Sequence, residues 1–184
     1  MGCSTSLVAL AAASINKQHT AGKGGAITDR EIGLIRKSWK KVSNDMPSIG
    51  ARIFIQIFTI QPEIKQIFPF HDVTGSELLS NQHFKGHASR FMQAIGAAVD
   101  NIDELETAMS ALLYGIGKEH IHYRGFNVDY FDVFPVAIMT VLKQEMGGKF
   151  DDYSSAWYHL LDFMISNLKG GYYAAKRNQT PPVN

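Results

Sequence analysis

The sequence predicts an all-α fold, six to eight helices in a single domain with flexible tails at both ends, and three observations carry that prediction. Apolar residues recur at i, i+3, i+4 and i+7 in one segment after another, the period of a helix face, and no stretch alternates as a strand would. Capping residues, prolines and glycines divide these segments at helical lengths. At 184 residues the chain can bury a full core, since a domain of roughly 150 residues buries about two-thirds of its unfolded surface. No internal repeat is present.

Residues 1–26 are small and polar apart from an apolar patch over 7–13, and they close on Ala21-Gly22-Lys23-Gly24-Gly25-Ala26, too flexible to pack. The expected globular domain spans 27–176, with a disordered tail over 177–184. Thr28-Asp29-Arg30-Glu31 reads as a capping box, Ile27 can staple onto Ile32, and the helix that follows carries Ile32, Ile35, Trp39 and Val42. Pro47 opens a second helix with Ile49, Ile53, Phe54, Ile57 and Phe58, and Pro62 bars its continuation. A short turn over 63–68 leads into a loop over 69–80, where Asp72, Thr74, Gly75 and Ser76 show little periodicity. Asn81 can cap the next helix, whose stripe is Phe84, His87, Ala88, Phe91, Ala94, Ile95 and Ala98. Another helix starts near Asp103, with Leu105, Met109, Leu112, Leu113, Ile116 and His120 on one face. Gly125 breaks the chain, and a helix with Tyr130, Phe134, Ala137, Ile138, Val141 and Leu142 runs to Gly147-Gly148. The last helix carries Trp157, Leu160, Leu161, Met164, Ile165 and Leu168 and is expected to give way near Gly170-Gly171.

Eighteen basic residues nearly balance seventeen acidic ones and form no run, so nucleic acid has no electrostatic footprint to follow. The single cysteine, Cys3, excludes an intrachain disulfide and any cysteine-built zinc or iron–sulfur site, which fits a reducing compartment. No apolar run approaches the ~20 residues of a spanning helix. The patch over 7–13 has no Lys or Arg before it, so secretion is the weaker reading. No serine, histidine and carboxylate spacing suggests a hydrolytic triad, and no glycine-rich phosphate loop is present.

His87 and His120 are the informative pair. Each lies on an otherwise apolar helix face, so two imidazoles point inward, and an imidazole taken out of water needs an acceptor, a donor or a metal. Either residue alone reads as a core histidine bonded to a carbonyl. Together they suggest a metal cofactor held between two helices.

Phe68 six residues after Pro62, His87, His120, and the fragments Ser38-Trp39, Val42-Ser43, Gly117-Lys118-Glu119-His120 and Ala156-Trp157, in this order and at these separations, resemble the globin family over 28–176. The likeness is greatest to its neuroglobin and globin X group. The resemblance implies a globin fold around heme b (iron protoporphyrin IX), with His120 as proximal ligand and His87 as distal residue or second iron ligand. Phe68 matches the heme-stacking phenylalanine, and the Ile116 carbonyl is a candidate acceptor for the outer nitrogen of His120. Phe54 and Phe91 match positions lining the ligand pocket or are plain core rings; at position 91 the family usually carries a smaller aliphatic residue. Gly50 and Ala88 match the small residues that let two helices cross closely. Arg90 matches a basic position that can reach a heme propionate or is a plain solvated charge; His122, Tyr123 and Arg124 flank the heme edge, against a propionate or in solvent; Phe70 and Phe126 fall near the heme; His19, His71, His83 and His159 have no assigned partner. The implied ligands are O2, NO and CO. The implied chemistry is electron transfer or redox work such as nitrite reduction or NO dioxygenation with a reductase partner; the alternatives are reversible oxygen storage or transport on five-coordinate iron, and heme-based sensing through a membrane partner.

Met1-Gly2-Cys3-Ser4-Thr5-Ser6 matches the N-myristoylation pattern, with Gly2 exposed by methionine removal and Cys3 beside it as a palmitoylation site. One acyl chain binds membranes only marginally, so Gly2 and Cys3 together would provide stable attachment. The globin X group includes acylated members. The expected location is the cytoplasmic face of a membrane, the plasma membrane in the first instance, with a cytosolic protein as the alternative.

Overall fold

The structure, a computed structural model, describes residues 26–179, which contain helices and connecting turns and no strand. The expectations for Gly2, Cys3 and the apolar patch lie outside the described residues. Among the described residues eight α-helices follow in order: α1 Asp29–Val42, α2 Met46–Ile60, α3 Gly75–Ser80, α4 Gln82–Asp100, α5 Leu105–Ala108, α6 Ser110–Glu119, α7 Val133–Met146 and α8 Phe150–Gln179. Short 3-10 turns link them, including Pro62–Ile67 and His120–His122.

The local signals act where the sequence puts them. Thr28 and Glu31 exchange both bonds of the capping box, and Ile32, Ile35, Trp39 and Val42 are buried. Asp45 accepts from the Ser48 backbone N–H at the start of α2, and the chain leaves the helix at Gln61, one residue before Pro62. The Asn81 side chain accepts from the backbone N–H groups of His83 and Phe84, at 3.0 and 3.1 Å, and so starts α4. Gly125 and Gly147 take φ values of +85° and +57°, which a side chain would resist, and they end the segments before them.

Helix crossings place the two histidine-bearing helices. α2 and α4 approach so closely at Gly50 that a Cβ there would stand 2.7 Å from Met92 Cγ and 3.1 Å from the Ala88 carbonyl oxygen. α1 is tied to α8 through buried Ser38, whose hydroxyl donates to the Leu34 and Ile35 carbonyl region and accepts from the Trp157 indole N–H at 2.9 Å. α6 lies against α8 in the most extensive helix–helix contact of the described residues.

Three expectations are corrected here. The segment over 69–80 is not all loop, because Gly75–Ser80 closes into a six-residue helix that buries Leu78; so short a helix leaves no period to read. The helix expected from Asp103 is broken at Met109, and of its expected stripe Leu112 is 48% exposed while Leu105, Met109 and Leu113 stay buried. The last helix passes straight through Gly170-Gly171 to Gln179, taking in residues 177–179 of the expected tail. Gly171 is buried and packs against the α6 backbone, so its missing side chain serves a close approach rather than a helix end.

Candidate functional site

α4 and α6 each bring one imidazole to the same interior space. His87 sits one turn after Phe84, with its ring edge-on to Phe54 and Phe68 at centroid distances of 5.0 and 4.9 Å. It forms no hydrogen bond among the described residues. Burial first, then the nearby charges of Arg90 and His120, lower its pKa to about 4. The ring is therefore neutral near pH 7 and keeps a lone pair free.

His120 stands where α6 ends and the next turn begins. Its Nδ1 lies 2.8 Å from the Ile116 carbonyl oxygen. A carbonyl can only accept, so Nδ1 carries the proton and Nε2 is left as the free base. Burial lowers the His120 pKa, while the Ile116 bond and the Glu119 charge act the other way. Phe126, Phe131 and Tyr123 surround the ring at 4.8, 4.9 and 5.7 Å.

Two cavities, of about 270 and about 200 Å³, share His87, Arg90, His120, Tyr123 and Phe134 in their walls. The larger is otherwise almost wholly apolar, walled by Phe91, Ile95, Ile138, Leu161, Met164 and Leu168 among others. The smaller is bounded by Phe68, Phe70, His83, Phe126 and Tyr130. Phe91, Ala94, Ile116, Phe134 and Ile165 stay only half-buried although they sit inside the fold, because one face of each opens on this space.

Of the residues singled out from the sequence, Phe68, Phe70, His87, Arg90, Phe91, His120, Tyr123 and Phe126 all line one cavity or both. Phe54 lines neither; it is 1% exposed and backs His87 and Phe91 from within the core. His122 and Arg124 are exposed and also line neither cavity. His159 has a partner after all, with its Nδ1 3.3 Å from Glu31. Sequence reasoning missed Phe131 against His120 and His83 in the smaller cavity's wall, and gave Phe134, 5.6 Å from Phe91, only a core role. The i, i+3 spacing of Phe131 and Phe134 was the available signal.

The family model for globins matches residues 51–168. Cytoglobin-2 of Danio rerio is 29% identical over 149 residues, covering 79% of this chain and 83% of its own length. Neuroglobin-1 of Oncorhynchus mykiss is 28% identical, covering 79% and 92%. The hemoglobin subunit alpha-D of Coturnix japonica is 31% identical over 143 residues, covering 76% and 92%. Among solved structures, a hexacoordinated heme protein from an anhydrobiotic tardigrade, crystallised at pH 4, superposes with a TM-score of 0.74 over 79% of this chain and 95% of that one at 21% identity, a likeness of fold. With its helix order, two histidines on shared cavities and a family match over well more than half its length, this chain belongs to the globin family.

Proposed function

We propose that this globin holds heme b between α4 and α6, with His120 as proximal and His87 as distal axial ligand, and that it carries out redox or electron-transfer chemistry with O2, NO or CO as its gaseous ligands. The observation behind the reading is a pair of neutral imidazoles on shared apolar cavities, one with its outer nitrogen already bonded and the other with no hydrogen-bond partner among the described residues.

The residues present suit the group. The two cavities together fall within the ~300–1,000 Å³ of a small-molecule pocket. Their walls are aliphatic and aromatic, as a flat macrocycle requires, with Arg90 and exposed Tyr123 at the edge where carboxylates would meet water. No group of three or more histidines, cysteines or carboxylates among the described residues could hold a metal ion by itself, so the remaining donors to an iron come with the prosthetic group. Bound heme supplies an iron that changes oxidation state and takes axial bases or diatomic gases. Everything else is the chain's work. The Ile116 carbonyl fixes the His120 tautomer, Phe126 and Phe131 hold the ring's plane, and Phe54 and Phe68 hold His87 edge-on. The apolar walls keep water away.

Ligand binding is then gated by His87. On rapid mixing of the ferrous protein with carbon monoxide, the observed rate should level off at high ligand concentration, and His87→Leu should abolish the plateau. His120→Ala should lose ordinary heme retention, while the exposed neighbour change His122→Ala should keep it. A wild-type ferrous spectrum that is five-coordinate without added ligand would replace the distal-ligand reading with reversible oxygen storage. The Met1-Gly2-Cys3-Ser4-Thr5-Ser6 sequence supports a tether through acyl chains to the inner leaflet of a cellular membrane, where a reductase or other electron-transfer partner could be met.

A further inference from the structure

α6 and α8 run antiparallel at a separation that only glycine permits. A Cβ on Gly117 would press on the Leu168 carbonyl oxygen and lie 2.8 Å from its carbon and 2.9 Å from its Cα. A Cβ on Gly171 would press in the same way on the Tyr114 carbonyl oxygen, 2.8 Å from its carbon and 3.1 Å from the Lys118 nitrogen. The arrangement is reciprocal, since each glycine meets backbone one turn before the other, and backbone cannot step aside as a side chain can. The other glycines of these helices are different. A Cβ on Gly115 would have nothing within 4 Å, and one on Gly170 would touch only the Tyr114 ring, at 3.7 Å.

The contact bears on one peptide in particular. The carbonyl that accepts the His120 Nδ1–H belongs to Ile116, and the nitrogen of that peptide belongs to Gly117. On the facing helix, Leu168 also lines the larger cavity. An acceptor on the outer nitrogen of an imidazole sets its orientation and makes it a stronger donor to a metal. We propose that Gly117 and Gly171 are positioning residues for His120: their backbone contact fixes the peptide between Ile116 and Gly117, and through its carbonyl the orientation and donor strength of the imidazole. The inference rests on the reading of His120 as axial ligand.

The test uses the full heme-loaded chain with Gly117→Ala and Gly171→Ala, each set against Gly115→Ala and Gly170→Ala. Displacing the carbonyl weakens the imidazole as a donor, so the first pair should raise the heme midpoint potential. In a His87→Leu background they should also lower the iron–histidine stretching frequency of the ferrous form. The second pair should leave both at the wild-type values. If Gly117→Ala and Gly171→Ala bind heme with wild-type potential and stretching frequency, the glycines serve packing alone and the proposal is overturned. A His120→Ala protein with an unchanged Soret band would overturn it differently, by removing the axial ligand it depends on. Should neither glycine variant fold, hydrogen exchange on the wild type decides: amides of 116–120 and 168–171 opening in one cooperative step support the proposal. Amides of 116–120 opening ahead of 168–171 overturn it.

Discussion

Phe91 stands between Phe54 and Phe134, at centroid distances of 5.2 and 5.6 Å, and presents its remaining face to the larger cavity. A ring at this position takes up volume that a smaller aliphatic residue would leave to an incoming gas. Phe91→Val should therefore speed carbon monoxide association while lowering stability by ~1–3 kcal/mol, because part of the ring is core. Stopped-flow rates and chemical denaturation on the same preparations separate the two effects; lowered stability with an unchanged rate would make Phe91 a plain core residue. At this scale the site was largely legible. His87 and His120 interrupt apolar stripes, and the Ile116 carbonyl follows from one turn of helix. Phe54 was not legible as a backing ring, since the spacing that places a residue near a pocket does not say which neighbours stand between it and the opening. Phe131 was missed because it falls in a five-residue 3-10 turn, too short to show a stripe of its own beyond the i, i+3 step to Phe134.

Between elements, Ser38 shows how much can rest on one hydroxyl. It is 4% exposed and gives the Trp157 indole N–H its acceptor across 119 positions of sequence. Ser38→Ala removes that acceptor and leaves the N–H dry, at a cost of ~1–3 kcal/mol to the folded state. Denaturant unfolding of the apoprotein should show this loss, and Trp157→Phe in the Ser38→Ala background should cost less than it does in the wild type, since the stranded donor is gone. Failure of the two changes to couple would mean that the bond carries no net stability. Most helices could be read from their ends, because a capping box, an Asn cap or a proline acts through neighbours in sequence. Gly170-Gly171 could not. A glycine that ends a helix and a glycine that admits another backbone look alike in sequence, and only the position of α6 tells them apart. Leu112 fails for a related reason, since Leu105, Met109 and Leu113 take the inward face at i, i+4 spacing and leave Leu112 beside it, a margin that only the neighbouring helix defines.

For the molecule as a whole, no helix among the described residues is long and apolar enough to cross a membrane; the attachment proposed above is through acyl chains on residues 2 and 3. Each buried methylene contributes ~0.8 kcal/mol, which makes one chain a transient anchor and two a lasting one. Gly2→Ala should release the protein to the soluble fraction of expressing cells, and Cys3→Ser should leave weak, reversible attachment. Labelling by myristate and palmitate analogues in the same fractions checks the chemistry, and wild-type protein that is soluble and unlabelled would make this a cytosolic globin. The domain itself is closed by its last helix, and that sets a timetable for its making. A nascent chain emerging from the ribosome can join α2 to α4 early, yet α6 has no surface to lean on until α8 has followed it out. The wall of the larger cavity is therefore completed last, and a chain stalled short of Leu168 would carry His120 on a helix without the backbone that Gly117 packs against.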